Sequence, residues 1–284
     1  MSSPQNIIIF GSRSYIGYYL SSFFQKRGLN IICVSSENCN LLDPYSIRAF
    51  FNSLNSEKYV VLFLAVINRP KGDCFEGFEK NIQMIENFIE SHDSEKISSL
   101  IYFSSVDVYG NQPPLPIDET TPVAPDNWYG LAKFNGEWML KKSLSGKIPI
   151  IIFRLPGIYG PSPNENSIIN KFIAQIRQNQ QVVIRGDGSI LRDYLHLDDL
   201  SRVVEQLLPL NENNLINLAT GQNYSLAEII QMIQKHISAS FEIIYQESSN
   251  SRDFDLSFNI EHLRKTLPDF QFTDLEKGIQ KYFV

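Results

Sequence analysis

The stretch Asn6-Ile7-Ile8-Ile9-Phe10 runs without a break into Gly11-Ser12-Arg13-Ser14-Tyr15-Ile16-Gly17. Ile7 to Phe10 are apolar and rich in β-branched side chains, which reads as a strand buried on both faces. Beyond the turn, Ile16, Leu20, Phe23 and Phe24 recur with helical spacing to about Arg27. A strand joined to a helix by so short a turn must lay that helix back on its own sheet. Strand, glycine turn and helix therefore open a βαβ unit in a parallel sheet. The turn aims backbone N–H groups and a helix N-terminus at one point, where a phosphate is held well. Gly11 permits the tight turn and Gly17 permits close packing of helix on sheet. Ser14 stands where the phosphate-binding fingerprint has its middle glycine, and Arg13 adds a cation beside it. An ordinary strand-to-helix turn is the competing reading.

The rest of the chain keeps the alternation. Strands are expected at 30–35, 59–65, 99–103 and 147–153, with helices at 44–54, 78–90 and across Tyr129 and Lys133. Strand–helix alternation of this length gives an α/β fold with a parallel sheet. Right-handed crossovers put the strand ends on one rim, where open sheets bind ligands. A dinucleotide is the ligand that the opening turn suits. The fingerprint expects a carboxylate at the end of the second strand to hold the adenosine ribose. Here that end is Ser35-Ser36, followed by Glu37. The missing acid tilts the reading toward NADP, while Glu37 keeps NAD open. Asp43, just before Pro44, is either an adenine acceptor or a helix N-cap.

The net charge of −6, with no basic cluster, excludes a nucleic-acid binder. The three cysteines (Cys33, Cys39, Cys74) lack metal spacing and suit a reducing cytoplasm as free thiols. The four histidines are scattered, so no metal site is expected. The longest early apolar run, 7–10, is too short for a signal peptide or a membrane span. A cytoplasmic protein without membrane partners is expected.

Tyr129 and Lys133 lie four residues apart on an expected helix, hence on one face. A cation near a phenol favours the phenolate, and a Tyr so tuned can pass a proton to or from an alcohol oxygen. Around this pair stand further motifs: S-S-x-x-V-Y-G at 104–110, R-L-x-x-x-Y-G-P at 154–161, G-D-G-x-x-x-R-D-Y-x-H-x-D-D at 186–199, and Asn217-Leu218-Ala219-Thr220-Gly221. With G-x-x-x-x-x-G at Gly11 and Gly17, their order resembles the extended short-chain dehydrogenase/reductases, of the NAD(P)-dependent sugar-nucleotide epimerase/dehydratase/reductase type. The resemblance covers nearly the whole chain.

It implies a Rossmann-type doubly wound parallel sheet with a smaller C-terminal α/β substrate-binding domain. The NAD(P)-binding domain would span 1–161, with about 193–220 returning to it, and the substrate domain 162–284. The resemblance assigns Tyr129 as acid/base, Lys133 to the nicotinamide ribose, and Ser105 to the reacting sugar oxygen. Gly11, Ser12, Arg13, Ser14, Tyr15, Ile16 and Gly17 form the cofactor turn. Leu64, Ala65 and Asn81 line the cofactor cleft, with Asp43 at its adenine end and Pro156 and Ile158 near the nicotinamide. Arg192 and Arg252 would meet the diphosphate of a nucleotide sugar, for which Arg geometry is suited.

Asp107 takes a position where dehydratases of this type carry Glu, which makes it a candidate second acid/base. Its acidic partner is absent, and Ser162 stands where the fucose-synthase type has His. The expected reaction is reduction of a 4-keto nucleotide sugar. A C4 epimerase with bound NAD and a non-catalytic NAD(P)-binding sensor are the alternatives. A homodimer through a four-helix contact that includes the Tyr129 helix is also implied. Asp198 and Asp199 read as helix caps.

Overall fold

The computed structural model describes residues 6–67, 73–162, 167–210, 212–237, 240–247 and 254–283. Two compact units emerge. The first holds Met1–Gly110, Val123–Arg154 and Val204–Ile216; the second holds Asn111–Pro122, Leu155–Val203 and Asn217–Val284. Set beside the expected domains, the segment that returns to the first unit is Val204–Ile216, and Asn111–Pro122 joins the second.

The first unit is built on a parallel central sheet. Its strands are β1 (Asn6–Phe10), β2 (Asn30–Val34), β3 (Tyr59–Phe63), β4 (Ile97–Ser105), β5 (Ile150–Leu155) and, from the returning segment, β10 (Asn214–Asn217). The order across the sheet is β10-β5-β4-β3-β1-β2. Chain and sheet order reverse at β1, the topological switch point of doubly wound sheets. In β1 the residues from Ile7 to Phe10 are fully buried, as the apolar run requires. Phe10 sits in a ring cluster with Phe50, Phe51, Phe63 and Phe88, its centroid 5.6 Å from those of Phe50 and Phe88. The helices α1 (Tyr15–Gln25), α2 (Pro44–Ser53), α3 (Phe75–Ser91) and α4 (Trp128–Leu144) complete this unit with a short 3-10 turn at Val106–Tyr109. Asp43 caps α2: its carboxylate accepts from the Tyr45 N–H at 2.9 Å, with Pro44 in the first turn.

The second unit uses short strands. β6 (Gly157–Tyr159) runs parallel to β9 (Tyr194–His196), β8 (Leu191–Arg192) pairs with β11 (Tyr224–Ser225), and β7 (Gln181–Arg185) lies parallel to β12 (Glu242–Gln246). Its helices are α5 (Ile168–Asn179), α6 (Leu197–Leu207, which runs on into the first unit), α7 (Leu226–Gln234), α8 (Glu261–Thr266) and α9 (Leu275–Gln280). α7 begins with a capping box between Ser225 and Glu228. β6 falls in a Gly/Pro-rich stretch and carries no periodic signal; pairing with β9 makes it a strand.

Asp198 and Asp199 are not the caps that the sequence suggests. α6 already begins at Leu197, and Asp199 is fully buried. Its carboxylate accepts from the Thr273 N–H at 2.7 Å and the Thr273 hydroxyl at 2.8 Å, and it pairs with Arg202. Asp198 pairs with Lys281 at 2.5 Å. Among the described residues no helix is long and apolar enough to cross a membrane.

His196 is buried beside Tyr159, ring centroids 5.0 Å apart, and its Nδ1 accepts from the Asp198 N–H at 3.0 Å. Burial, with the Lys281 charge adding to it, pushes the imidazole down from 6.5 to about 4. The unfolded chain therefore binds this proton first as pH falls, and stability drops between those two values, by about 1.4 kcal/mol per pH unit. Burial pushes the Asp193 carboxyl up to about 6, which acts in the opposite direction. Comparing wild type with His196→Asn isolates the histidine. The stability advantage of wild type in urea unfolding is expected to shrink by about 3 kcal/mol from pH 7 to pH 4. A gap that stays constant over that range would contradict a neutral buried His196.

Candidate active site

In the first unit the ends of β1, β3 and β4 lie side by side, since β1 pairs with β3 and β3 with β4 in parallel. The turns that leave these ends carry most of the residues singled out from the sequence.

At β1 the turn is closed by Val34, whose carbonyl accepts from the N–H groups of Gly11 and Ser12 at 3.0 and 3.1 Å and from the Ser12 hydroxyl at 3.0 Å. Gly11 has φ +85, and a Cβ there would lie 2.8 Å from the Ala65 nitrogen. The turn is thus pressed against the end of β3 at Leu64 and Ala65. A Cβ on Gly17 would lie 2.3 Å from the Gly11 carbonyl oxygen. Both glycines allow backbone approaches that any side chain would block, as the tight turn and close helix packing of a pyrophosphate-binding loop require.

Ser14, in the place of the fingerprint's middle glycine, is the N-cap of α1; its hydroxyl accepts from the Gly17 N–H at 3.1 Å. Tyr15 and Ile16 open the helix. Arg13 makes a two-pronged ion pair with Glu37, just past β2, and holds the Glu37 carboxyl below its ordinary range through that hydrogen bonding and its charge. Asn81 is buried on α3 and uses both ends of its amide on Ile67, accepting from its N–H at 2.8 Å and donating to its carbonyl at 3.0 Å. It fixes the segment that leaves β3.

Ser105 ends β4 and accepts from the Asp107 N–H at 3.2 Å, capping the 3-10 turn. The α4 helix begins directly against this turn. A Cβ on Gly130 would lie 2.6 Å from the Asp107 carbonyl oxygen, so only glycine lets the two backbones meet. Asn127 caps α4 through the Gly130 N–H at 2.8 Å. The Tyr129 N–H donates to the Asp73 carboxylate at 3.1 Å. Tyr129, on the first turn, and Lys133, one turn later, share a face, with the ammonium 5.8 Å from the Tyr129 ring centre.

Lys133 is buried, only 3% exposed. Its ammonium donates to the Phe103 carbonyl at 2.6 Å and lies 5.0 Å from the Tyr102 ring centre. Burial pushes it down from 10.5 to about 7, and the Glu137 carboxylate opposes that shift. Ser104 donates to Glu137 at 2.5 Å, and Arg154 donates to both Glu137 oxygens, at 3.0 and 2.7 Å, and to the Tyr109 hydroxyl at 2.9 Å.

The remaining sequence candidates belong to the second unit. Pro156 precedes β6, and Ile158 pairs with Leu195. Arg192 donates to the Leu191 carbonyl at 2.9 Å and to the Phe254 carbonyl, with its guanidinium over the Phe254 ring. Arg252 lies outside the described residues.

Sequence reasoning missed Asp73, Tyr102 and Glu137, and read Ser104 only as part of a motif. Glu137 had a signal, since it continues the four-residue spacing of Tyr129 and Lys133. Asp73 had none, because it meets Tyr129 across 56 residues.

The sequence profile of the NAD dependent epimerase/dehydratase family matches residues 7–219. The chain belongs to this family. Its resemblance to extended short-chain dehydrogenase/reductases that act on sugar nucleotides therefore stands. The chain is 29% identical to the "Putative UDP-glucose 4-epimerase" of Methanocaldococcus jannaschii over 76% of its own length and 72% of that protein. It is 27% identical to GDP-L-fucose synthase 1 of Arabidopsis thaliana over 81% of its length and 77% of that protein. Among solved structures, the UDP-glucose 4-epimerase of Thermotoga maritima with UDP-glucose has a TM-score of 0.86 at 20% identity, covering 98% of this chain and 97% of that one.

The cap at Ser14 gives a direct test of the turn. Ser14→Ala is expected to lower stability by about 1 kcal/mol, and Ser14→Gly by only a few tenths. Equal losses in urea unfolding would mean that the Ser14 hydroxyl does not cap α1.

Proposed function

We propose that the protein is an NAD(P)-dependent oxidoreductase of nucleotide-linked sugars, with Tyr129 as acid/base, and that its reaction is reduction of a 4-keto sugar. One observation carries this reading. Tyr129 and a buried Lys133 share a helix face whose start abuts the turn after Ser105, in the same unit as a glycine turn against Ala65.

When bound, NAD(P) supplies the hydride donor or acceptor. The turn from Gly11 to Gly17 would hold its pyrophosphate. Lys133 would reach the nicotinamide ribose and, as a cation beside the phenol, favour the ionised form of Tyr129. Ser105 would hydrogen-bond the reacting sugar oxygen while Tyr129 moves its proton. Asp107, on the same turn, is the candidate second acid/base. Pro156 and Ile158 would adjoin the nicotinamide, and Arg192 and Arg252 would take the substrate diphosphate. At the adenosine end, Asp43 is committed to capping α2 through one oxygen. Arg13 is the cation available to a 2′-phosphate once it leaves Glu37, which favours NADP. The non-catalytic sensor reading draws on Ser14 in place of the fingerprint's middle glycine, and Ser14 has a structural role as the cap of α1.

A second reading, C4 epimerisation with retained NAD, is favoured by the likeness to the archaeal relative. The same Ser105, Tyr129 and Lys133 would serve it. A homodimer through α3 and α4 fits the aromatic side chains exposed there: Phe75, Trp128 and Trp138 are 54%, 39% and 58% exposed. Trp138→Glu is expected to sediment as a monomer; a dimer unchanged by it would exclude this face.

Tyr129→Phe is expected to lower turnover of a nucleotide sugar by about 100-fold or more while cofactor binding persists. Unchanged turnover would remove Tyr129 from the chemistry. Net consumption of NADPH with a 4-keto nucleotide sugar supports the reductase. Purified protein that carries NAD and interconverts C4 epimers without net redox change supports the epimerase.

A further inference from the structure

The four-residue spacing of Tyr129 and Lys133 extends one turn further, to Glu137. All three lie on one face of α4. Glu137 is 2% exposed and Arg154 4%. Their ion pair is two-pronged, and Ser104 adds a third hydrogen bond to the same carboxylate. The remaining Arg154 donor faces the Tyr109 hydroxyl, and the guanidinium lies 4.8 Å from the Tyr109 ring centre.

Lys133 shares this interior. Nearest it are the Tyr129 ring from α4 and the Tyr102 ring from β4, and the Glu137 charge acts on it from one turn along α4. The turn after β4, which carries Asp107 and Tyr109, also packs on α4, and Arg154 from β5 pairs with Glu137. α3 also packs on α4, and its buried residues are uncharged: Gly77, Asn81, Ile85, Asn87, Phe88 and Ser91. The phenol rings and the Phe103 carbonyl offer an ammonium weak or dipolar partners. A Cβ on Gly136 would lie 2.4 Å from the Tyr102 hydroxyl, so that ring packs directly on the helix and shuts water out. Among the described residues, Glu137 is the buried carboxylate in this group. Arg154 and Ser104 fix its position with three hydrogen bonds.

We propose that Glu137, fixed by its ion pair with Arg154, is a positioning residue that favours the charged form of Lys133 on the helix face it shares with Tyr129. This deepens the oxidoreductase reading and rests on it for its catalytic consequence; the electrostatic coupling itself can be measured without turnover. Glu137 acts through Lys133 and touches no substrate. It explains how a lysine can be almost fully buried at the start of a helix and still work as a cation at neutral pH.

The test is an NMR titration of the full-length chain carrying 13Cε-labelled lysine, with the Lys133 signal identified by its loss in Lys133→Met. In Glu137→Gln, and in the charge-free pair Glu137→Gln/Arg154→Met, the Lys133 midpoint is expected to fall by about one pH unit or more, a tenfold change in proton affinity. The double variant removes both buried charges and so guards against misfolding of the single one. The pH profile of turnover is expected to move toward acid by the same amount. A Lys133 midpoint equal to that of wild type in a folded variant overturns the proposal. So does a loss of turnover of equal size at every pH, which would mark a merely structural role. If instead Tyr129→Phe keeps full turnover while the Lys133 midpoint still falls, the acid/base reading fails and the Glu137 coupling stands.

Discussion

A carboxylate and a guanidinium that have both left water meet beneath the α4 helix, and the first unit depends on their doing so. Removing one charge from water into an interior costs several kcal/mol, and only good geometry with further hydrogen bonds repays it. Glu137 and Arg154 meet that condition, with two hydrogen bonds between them, a third from Ser104 and a fourth to Tyr109. The four residues come from β4, the turn after it, α4 and β5. The pair therefore locks the strand end that carries Ser105 to the helix that carries Tyr129. Losing one partner typically costs 3–5 kcal/mol, because the other is left charged and dry. That asymmetry makes the arrangement all-or-none and gives the site a fixed register.

Close backbone contact does the rest. Gly130 lets α4 start against the Asp107 carbonyl, and Gly11 lets the first turn lie on the end of β3. Neither contact tolerates a side chain. The caps at Ser14, Asp43 and Asn127 then satisfy the helix starts that these contacts bring to the rim. Preorganisation of this kind is a property of backbone and buried charge, with the candidate site side chains at its edge.

Much of this was legible in the sequence, for identifiable reasons. The apolar run to Phe10 and the glycines behind it could be read because burial on both faces and a tight turn each demand a narrow set of residues. Tyr129 and Lys133 could be read from helical spacing. Glu137 obeyed the same spacing and went unread, because a Glu on a helix is usually a solvated residue; only its distant partner Arg154 shows that it is buried. β6 gave no periodic signal, since three residues acquire strand character solely from pairing with β9. Asp199 resembled a cap because caps and buried acids are the same residue types at the same helix ends; Thr273, far along the chain, decides between them.

The motifs of the second unit follow the same rule and show what a family signature is made of. Asp193 accepts from the N–H groups of Thr220 and Gly221, at 3.0 and 2.7 Å, and so binds one motif to another. Asp199 ties α6 to Thr273, and His196 packs on Tyr159. These residues are polar yet buried, so each is tolerable only with its particular partners. The same holds for Ser104, Tyr109 and Arg154 in the first unit. Much of the signature thus records which buried polar groups must meet. Lys133 is followed one turn along α4 by the buried Glu137 carboxylate. That carboxylate requires a guanidinium, and the guanidinium requires the Tyr109 hydroxyl and ring. Arg154, which opens R-L-x-x-x-Y-G-P, therefore meets Glu137, one helical turn beyond the Lys of Y-x-x-x-K, so the two motifs share one buried cluster.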